Sequence, residues 1–128
     1  MRITFVFLFA LIGLSCGQQG AVAQKVLQAN EFAAMLAQDQ SVQLVDVRTP
    51  EEYAAGHLQG ARLMDIYDTS FAQQIGKLDK SKPVMVYCAA GTRSAAAARQ
   101  MQKMGFRQVY DLDGGINAWR SAGKPTVQ

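Results

Sequence analysis

Cysteine and histidine are nearly absent: the 128 residues hold two cysteines, Cys16 and Cys88, and a single histidine, His57. That scarcity excludes a disulfide framework and any Cys/His set with metal-ligand spacing, so stability has to come from packing. Charge is sparse too. Only 18% of the residues are charged against 49% hydrophobic, and the basic residues are scattered, so the formal charge of +3 leaves no footprint for nucleic acid. No internal repeat or low-complexity tract is present. A chain of this length has room for one domain with its own core and little else.

What the sequence does have at its start is Arg2 followed by an almost unbroken apolar stretch, Ile3 to Leu14, too short for a comfortable membrane span. Residues 1–23 therefore read as an export signal. Two processing sites compete. Ala21-Val22-Ala23 is the small-x-small pattern of ordinary cleavage, which leaves one domain over residues 24–128. Leu14-Ser15-Cys16-Gly17 is similar to a lipoprotein acylation site ending before Cys16, although Gly13 stands where leucine is preferred. Either choice predicts a bacterial cell-envelope protein, with the periplasm the leading compartment and a lipid anchor on Cys16 the alternative. Both leave Cys88 without an internal partner, and an exported domain that keeps one thiol is either burying it or using it.

Strand and helix signals then alternate. Lys25–Leu27 can be an edge strand, Asn30 can cap a helix over Glu31–Gln38, and Val42–Val47 is apolar enough for the middle of a sheet. Thr49-Pro50-Glu51-Glu52 spells a helix start, with Thr49 as cap, Pro50 in the first turn and Glu52 closing a capping box; Gly56 ends that helix. A small strand near Leu63, a weak helix from Asp68 or Ser70 to Ile75, the strand Val84–Tyr87, an Ala-rich helix Arg93–Met104, the strand Gln108–Leu112 and a short helix Ile116–Ser121 complete the pattern. The expected fold is α/β, a small parallel sheet flanked by helices on both faces.

Ligands in such folds collect beyond the carboxyl ends of the strands, where Cys88 falls. Ala89, Ala90 and Gly91 are too small to fill the space after it, so the loop can curl and aim its amide hydrogens at the sulfur. The helix beginning near Arg93 adds its positive end, and the Arg93 guanidinium a full charge. These donors favour thiolate over thiol and make Cys88 a candidate nucleophile. A buried inert cysteine would need neither the small-residue loop nor the arginine.

Three stretches in order, LVDVRTPEEYAAGHLQGA (Leu44–Ala61), YCAAGTRS (Tyr87–Ser94) and LDGGINAWRSAGKP (Leu112–Pro125), give the chain a resemblance to single-domain members of the rhodanese, or thiosulfate sulfurtransferase, family. The resemblance implies that Cys88 cycles through a persulfide, that Ala89, Ala90, Gly91, Thr92 and Arg93 cradle the substrate, and that Ser94 supports them. It implies a small anionic sulfur donor such as thiosulfate, a thiol or cyanide acceptor, and room for a protein persulfide partner. No metal, nucleotide or organic cofactor is implied. Asp46 and Arg48 match the family's strand-end pair and read as a supporting network, and His57 as a brace for the loop after its helix. Gly114-Gly115 reads as a tight turn, Ile116 and Trp119 as packing, and Tyr67, Tyr87 and Tyr110 as buried or cleft-lining.

Many family members carry an arginine or another polar residue directly after the cysteine, whereas this chain has Ala89 and Ala90. Capture of a free dianion should be weaker for it. Rival readings are a persulfide carrier without turnover, an arsenate reductase, and a phosphatase. The last is disfavoured by spacing, because the phosphatase loop has five residues between cysteine and arginine and this one has four, Ala89 to Thr92.

Overall fold

The computed structural model describes residues 23–128. Cys16, the apolar stretch Ile3–Leu14 and the start of the Ala21–Ala23 cleavage motif lie outside the described residues. Five strands, β1 (Ala23–Leu27), β2 (Gln43–Asp46), β3 (Arg62–Leu63), β4 (Val84–Tyr87) and β5 (Gln108–Leu112), form one sheet in the order β1-β5-β4-β2-β3. Every pairing in it is parallel. The chain is an α/β protein with a small parallel sheet flanked by helices, as its alternating signals require. Helices α1 (Ala29–Gln38), α2 (Pro50–Ala55), α3 (Phe71–Gly76), α4 (Thr92–Lys103) and α5 (Gly115–Ser121) lie between and after the strands.

Side-chain alternation on β4, the middle strand, splits the core in two. Val84 and Val86 face one layer with Val45, Val109, Phe71, Ile75, Ala97, Ala98 and Met101, which come from β2, β5, α3 and α4. Met85 and Tyr87 face the other, with Leu44, Leu112, Phe32, Ile116 and Trp119, from β2, β5, α1 and α5. All four β4 residues are fully buried, which is why the strand reads as a continuous apolar run. The alanines of α4 let that helix lie close on the sheet, and Phe32 meets Trp119 edge to face with ring centroids 6.3 Å apart. No described helix is long and apolar enough to cross a membrane.

Some boundaries differ from the expectation. Helix α1 starts at Ala29 with Gln28 as its cap, so Asn30 sits inside the first turn and caps nothing; the Gln28 side chain instead donates to Asp113 Oδ2 at 2.8 Å. Helix α4 starts one residue early, at Thr92, because Gly91 at φ +108° supplies the bend directly before it. Helix α5 likewise starts at Gly115 rather than Ile116. The capping box is present as read: Thr49 Oγ1 accepts from Glu52 N at 3.3 Å, and Thr49 N donates to the Glu52 carboxylate.

Candidate active site

Cys88 follows the last residue of β4, and the loop 89–91 curls over it into α4. The thiol is free and the residue is 1% exposed. Gly91 N–H donates to Sγ at 3.1 Å, a direction its left-handed φ makes available, and Ser94 Oγ lies 3.4 Å from Sγ. Burial, the largest single influence, pushes the Cys88 thiol up. The Ser94 hydroxyl and the amides of Ser94, Gly91 and Ala90 together outweigh it and hold the thiol below its ordinary value. The sulfur thus sits where a negative charge meets fixed donors.

The carbonyls of the same loop point the other way, and α5 receives them. Ile116 N–H donates to Cys88 O at 2.9 Å and Asn117 N–H to Ala89 O at 3.1 Å. Anchoring those carbonyls leaves the amides that follow free to turn toward Sγ. The approach is so close that a Cβ on Gly115 would stand 2.6 Å from the Ala89 carbonyl carbon and overlap the Cys88 oxygen. A reading of Gly114-Gly115 as a turn, and of Ile116 as packing, misses this. Two adjacent glycines opening a helix are the local signal that backbone must meet backbone there.

Arg93 is brought beside the loop but is turned onto Glu52. Its Nη1 and Nη2 donate to the two Glu52 carboxylate oxygens at 2.7 and 2.9 Å, with Tyr67 over the guanidinium at 5.9 Å from the ring centroid. Glu52 is also what chiefly raises the Arg93 pKa, the Cys88 charge contributing less. Cys88 therefore owes its lowered pKa to a hydroxyl and amides, with the guanidinium already committed. Sequence reasoning gave Glu52 only its capping role, because the partner lies 41 residues away.

That pairing has a measurable consequence. Arg93, then Thr49, hold the Glu52 carboxyl down at about 2 against an ordinary 4.5. A depressed carboxylate contributes stability that is present above its unfolded pKa and lost as pH falls through its folded one. Between pH 4.5 and about 2 the protein should lose more Tm than a Glu52→Gln variant does. Parallel Tm curves for the two proteins would show that the pair contributes nothing.

Asp46 and Arg48 form a buried ion pair at 2.7 Å, and Arg48 Nη2 donates to Gly56 O. Tyr87 lies under the Arg48 guanidinium and accepts Leu58 N–H at 3.0 Å. Burial and Asp46 push the Tyr87 hydroxyl far above its usual range. His57 stacks on Tyr53, its Nδ1 3.0 Å from Tyr53 O, while its backbone bridges to Val127. No side-chain hydrogen bond of Asp46, Arg48 or His57 reaches the 89–94 loop among the described residues. Arg48 and Tyr87 tie the segment after α2 to the ends of β2 and β4.

Beside the loop, a cleft of about 310 Å³ is lined by Ala90, Gly91, Thr92, Asp111 and Asp113, with Val26 of β1 at its edge. Cys88 does not line it. Thr92 and Ala90 are exposed at its rim, and Ala89 is half-buried. Among the described residues no cluster of His, Cys, Asp and Glu could hold a metal ion.

Comparison with known proteins places this geometry. The thiosulfate sulfurtransferase GlpE of Shewanella oneidensis is 37% identical over 98 residues, covering 77% of this chain and 94% of that protein. A rhodanese-related protein of Thermoplasma volcanium has the same fold, with a TM-score of 0.71 and 27% identity over 80% of this chain and 97% of that one. The polysulfide-sulfur transferase of Wolinella succinogenes matches with a TM-score of 0.70 and 27% identity, over 81% and 78% of the two chains. The family model of the rhodanese-like domain matches residues 28–122, from the residue before α1 to the residue after α5, and the chain belongs to that family.

Proposed function

We propose that the protein is a sulfurtransferase in which Cys88 carries the sulfur as a persulfide. The observation that supports this most is the Cys88 sulfur lying within reach of the Gly91 amide and the Ser94 hydroxyl. The thiolate attacks the outer sulfur of a donor, forming an Sγ–S bond; with thiosulfate the S–S bond breaks and sulfite leaves with the electron pair. A thiol or cyanide then takes the outer sulfur and regenerates the thiolate. The loop amides hold the negative charge through both steps, which is electrostatic stabilisation by donors already in place. Relatives named for thiosulfate and for polysulfide agree with sulfur transfer as the shared chemistry.

A persulfide or protein-borne donor suits this site better than free thiosulfate. Ala89 and Ala90 bring no charge, Glu52 neutralises Arg93, and the adjoining cleft carries Asp111 and Asp113. Ala89→Arg should therefore lower the KM for thiosulfate by a few-fold, on the scale of one exposed charge at about 0.2–1 kcal/mol, with little change in kcat. Equal KM values in the two proteins would remove charge as the reason.

Steady-state transfer from thiosulfate, polysulfide and glutathione persulfide, combined with mass spectrometry after donor treatment, tests the assignment. An enzyme gains one sulfur on Cys88 and turns over rapidly with cyanide or small thiols. A protein that gains the sulfur and keeps it is a carrier, and one that gains none is neither. We place the protein in the bacterial cell envelope on the strength of residues 1–23. The mass of the mature N-terminus discriminates between a chain beginning at Gln24 and one beginning at an acylated Cys16.

A further inference from the structure

The Arg93–Glu52 pair joins the first turns of two helices, α2 after β2 and α4 after β4, and those strands lie side by side in the sheet. Arg93 directly precedes Ser94, whose Oγ is 3.4 Å from the Cys88 sulfur, so its charge belongs to the neighbourhood of the thiolate. Nη1 and Nη2 each donate to one oxygen of the Glu52 carboxylate, at 2.7 and 2.9 Å, and the guanidinium carbon lies 5.9 Å from the Tyr67 ring centroid. Two parallel N–H···O bonds are the way a guanidinium takes an anionic group of a ligand. The end of Arg93 that would grip an anionic donor is filled by a carboxylate of the protein itself.

The two partners are not equally free. Glu52 Oε1 also accepts the Thr49 hydroxyl at 3.2 Å and the Thr49 amide at 3.4 Å, and the Glu52 amide donates back to Thr49 Oγ1, so the capping box fixes the carboxylate on its own helix. The Arg93 guanidinium has no hydrogen bond besides the two to Glu52 among the described residues. Both side chains keep contact with water, Arg93 at 20% exposed and Glu52 at 34%, and a pair so placed is weak enough for a dissolved anion to open.

We propose that Glu52 is a specificity-determining residue that competes with the donor for Arg93. A donor with an oxyanion next to the transferred sulfur, as in thiosulfate, has to displace a carboxylate to reach the guanidinium. A persulfide, whose sulfur is bonded to sulfur and carbon without such oxygens, does not. The proposal rests on the sulfurtransferase reading and adds that the choice of donor lies in Glu52 as well as in the uncharged Ala89 and Ala90.

Glu52→Gln is the variant that isolates the charge, because glutamine closes the same capping box. The test compares alkylation of Cys88 by iodoacetate and by iodoacetamide, two reagents of one shape that differ by a negative charge. In both, the thiolate forms an S–C bond and iodide leaves with the electron pair. The ratio of the two rates cancels the thiolate fraction and reads how the site receives an anion; mass spectrometry on the peptide containing Cys88 keeps Cys16 out of it. Glu52→Gln should raise the iodoacetate-to-iodoacetamide ratio about two- to five-fold, the scale of one part-exposed ion pair. In an Arg93→Gln background the same change should raise it clearly less. Equal gains in the two backgrounds would make Glu52 a charge acting through space and overturn the proposal, as would an unchanged ratio.

Transfer kinetics supply the second arm. Glu52→Gln should lower the KM for thiosulfate by a similar factor, with the gain in KM rather than in kcat, and leave the KM for glutathione persulfide where it was. A pair that merely braced the loop predicts the reverse, a folded variant that is slower with both donors. Should Arg93→Gln fail to fold, carbon NMR of the Glu52 carboxyl in Cys88→Ser, which keeps the pair, replaces the double comparison. Thiosulfate should move that signal further than sodium chloride at the same ionic strength; equal shifts sink the idea. Alkylation does not depend on turnover. The expected ratios in a protein that transfers no sulfur would end the sulfurtransferase reading and leave the competition for Arg93 in place, whereas sulfur transfer with an unchanged ratio would remove the competition alone.

Discussion

Cys88→Ala should reduce sulfur transfer by roughly a thousand-fold or more, the loss seen when a nucleophile is removed from a site whose other groups act through it. The same change should leave the domain folded. The side chain lost is one sulfur at the edge of the α3/α4 layer, so a cavity penalty of about 1 kcal/mol is expected, partly offset because a charge no longer has to be held in a buried position. Activity and stability therefore separate at this residue. The measurement is donor-dependent turnover beside a urea unfolding curve. Persistent turnover in a purified, folded Cys88→Ala protein would show that sulfur moves by another route, and no arrangement of the loop could then rescue the assignment.

That separation also explains what was legible in the sequence. The run Val84–Tyr87 is apolar on both faces, so it had to be an inner strand, and a thiol directly after it had to sit at the carboxyl end of the sheet. The Thr49–Glu52 box was equally plain, because all its bonds lie within one turn. What stayed hidden was non-local. Nothing in the spacing says that Glu52 takes the Arg93 guanidinium from 41 residues away, so a charge expected to serve the sulfur is neutralised elsewhere. Asp111 was hidden for a different reason. One acidic residue in a strand reads as a solvent-facing alternation, and only the packing of the sheet reveals that this one is 3% exposed. Asn30 misled because a good capping residue is only a preference. The chain entered α1 two residues sooner, leaving Gln28 to reach Asp113.

Gly115→Ala should be the most disruptive single-methyl change near the loop. The residue has φ +60°, and a Cβ there would lie 2.5 Å from Ala89 O and 2.6 Å from the Ala89 carbonyl carbon, both backbone atoms that cannot swing aside. Left-handed strain costs about 1–3 kcal/mol, and forced overpacking a further ~1–3 kcal/mol, for a total on the order of 4 kcal/mol. At about 4–8 °C per kcal/mol for a domain of this size, Tm should fall by more than about 10 °C. Gly105→Ala separates the two contributions, because Gly105 has φ +95° with nothing within 4 Å of where its new methyl would stand, and so carries strain alone. The clash also has a chemical consequence. If α5 withdraws to relieve it, the bonds from Ile116 and Asn117 to the Cys88 and Ala89 carbonyls lengthen, and the amides turned toward Sγ lose their anchor. Any folded fraction of Gly115→Ala should therefore alkylate more slowly at neutral pH, whereas Gly105→Ala should match the natural protein. Equal stability and equal thiol reactivity in the two variants would mean that α5 does not hold the loop.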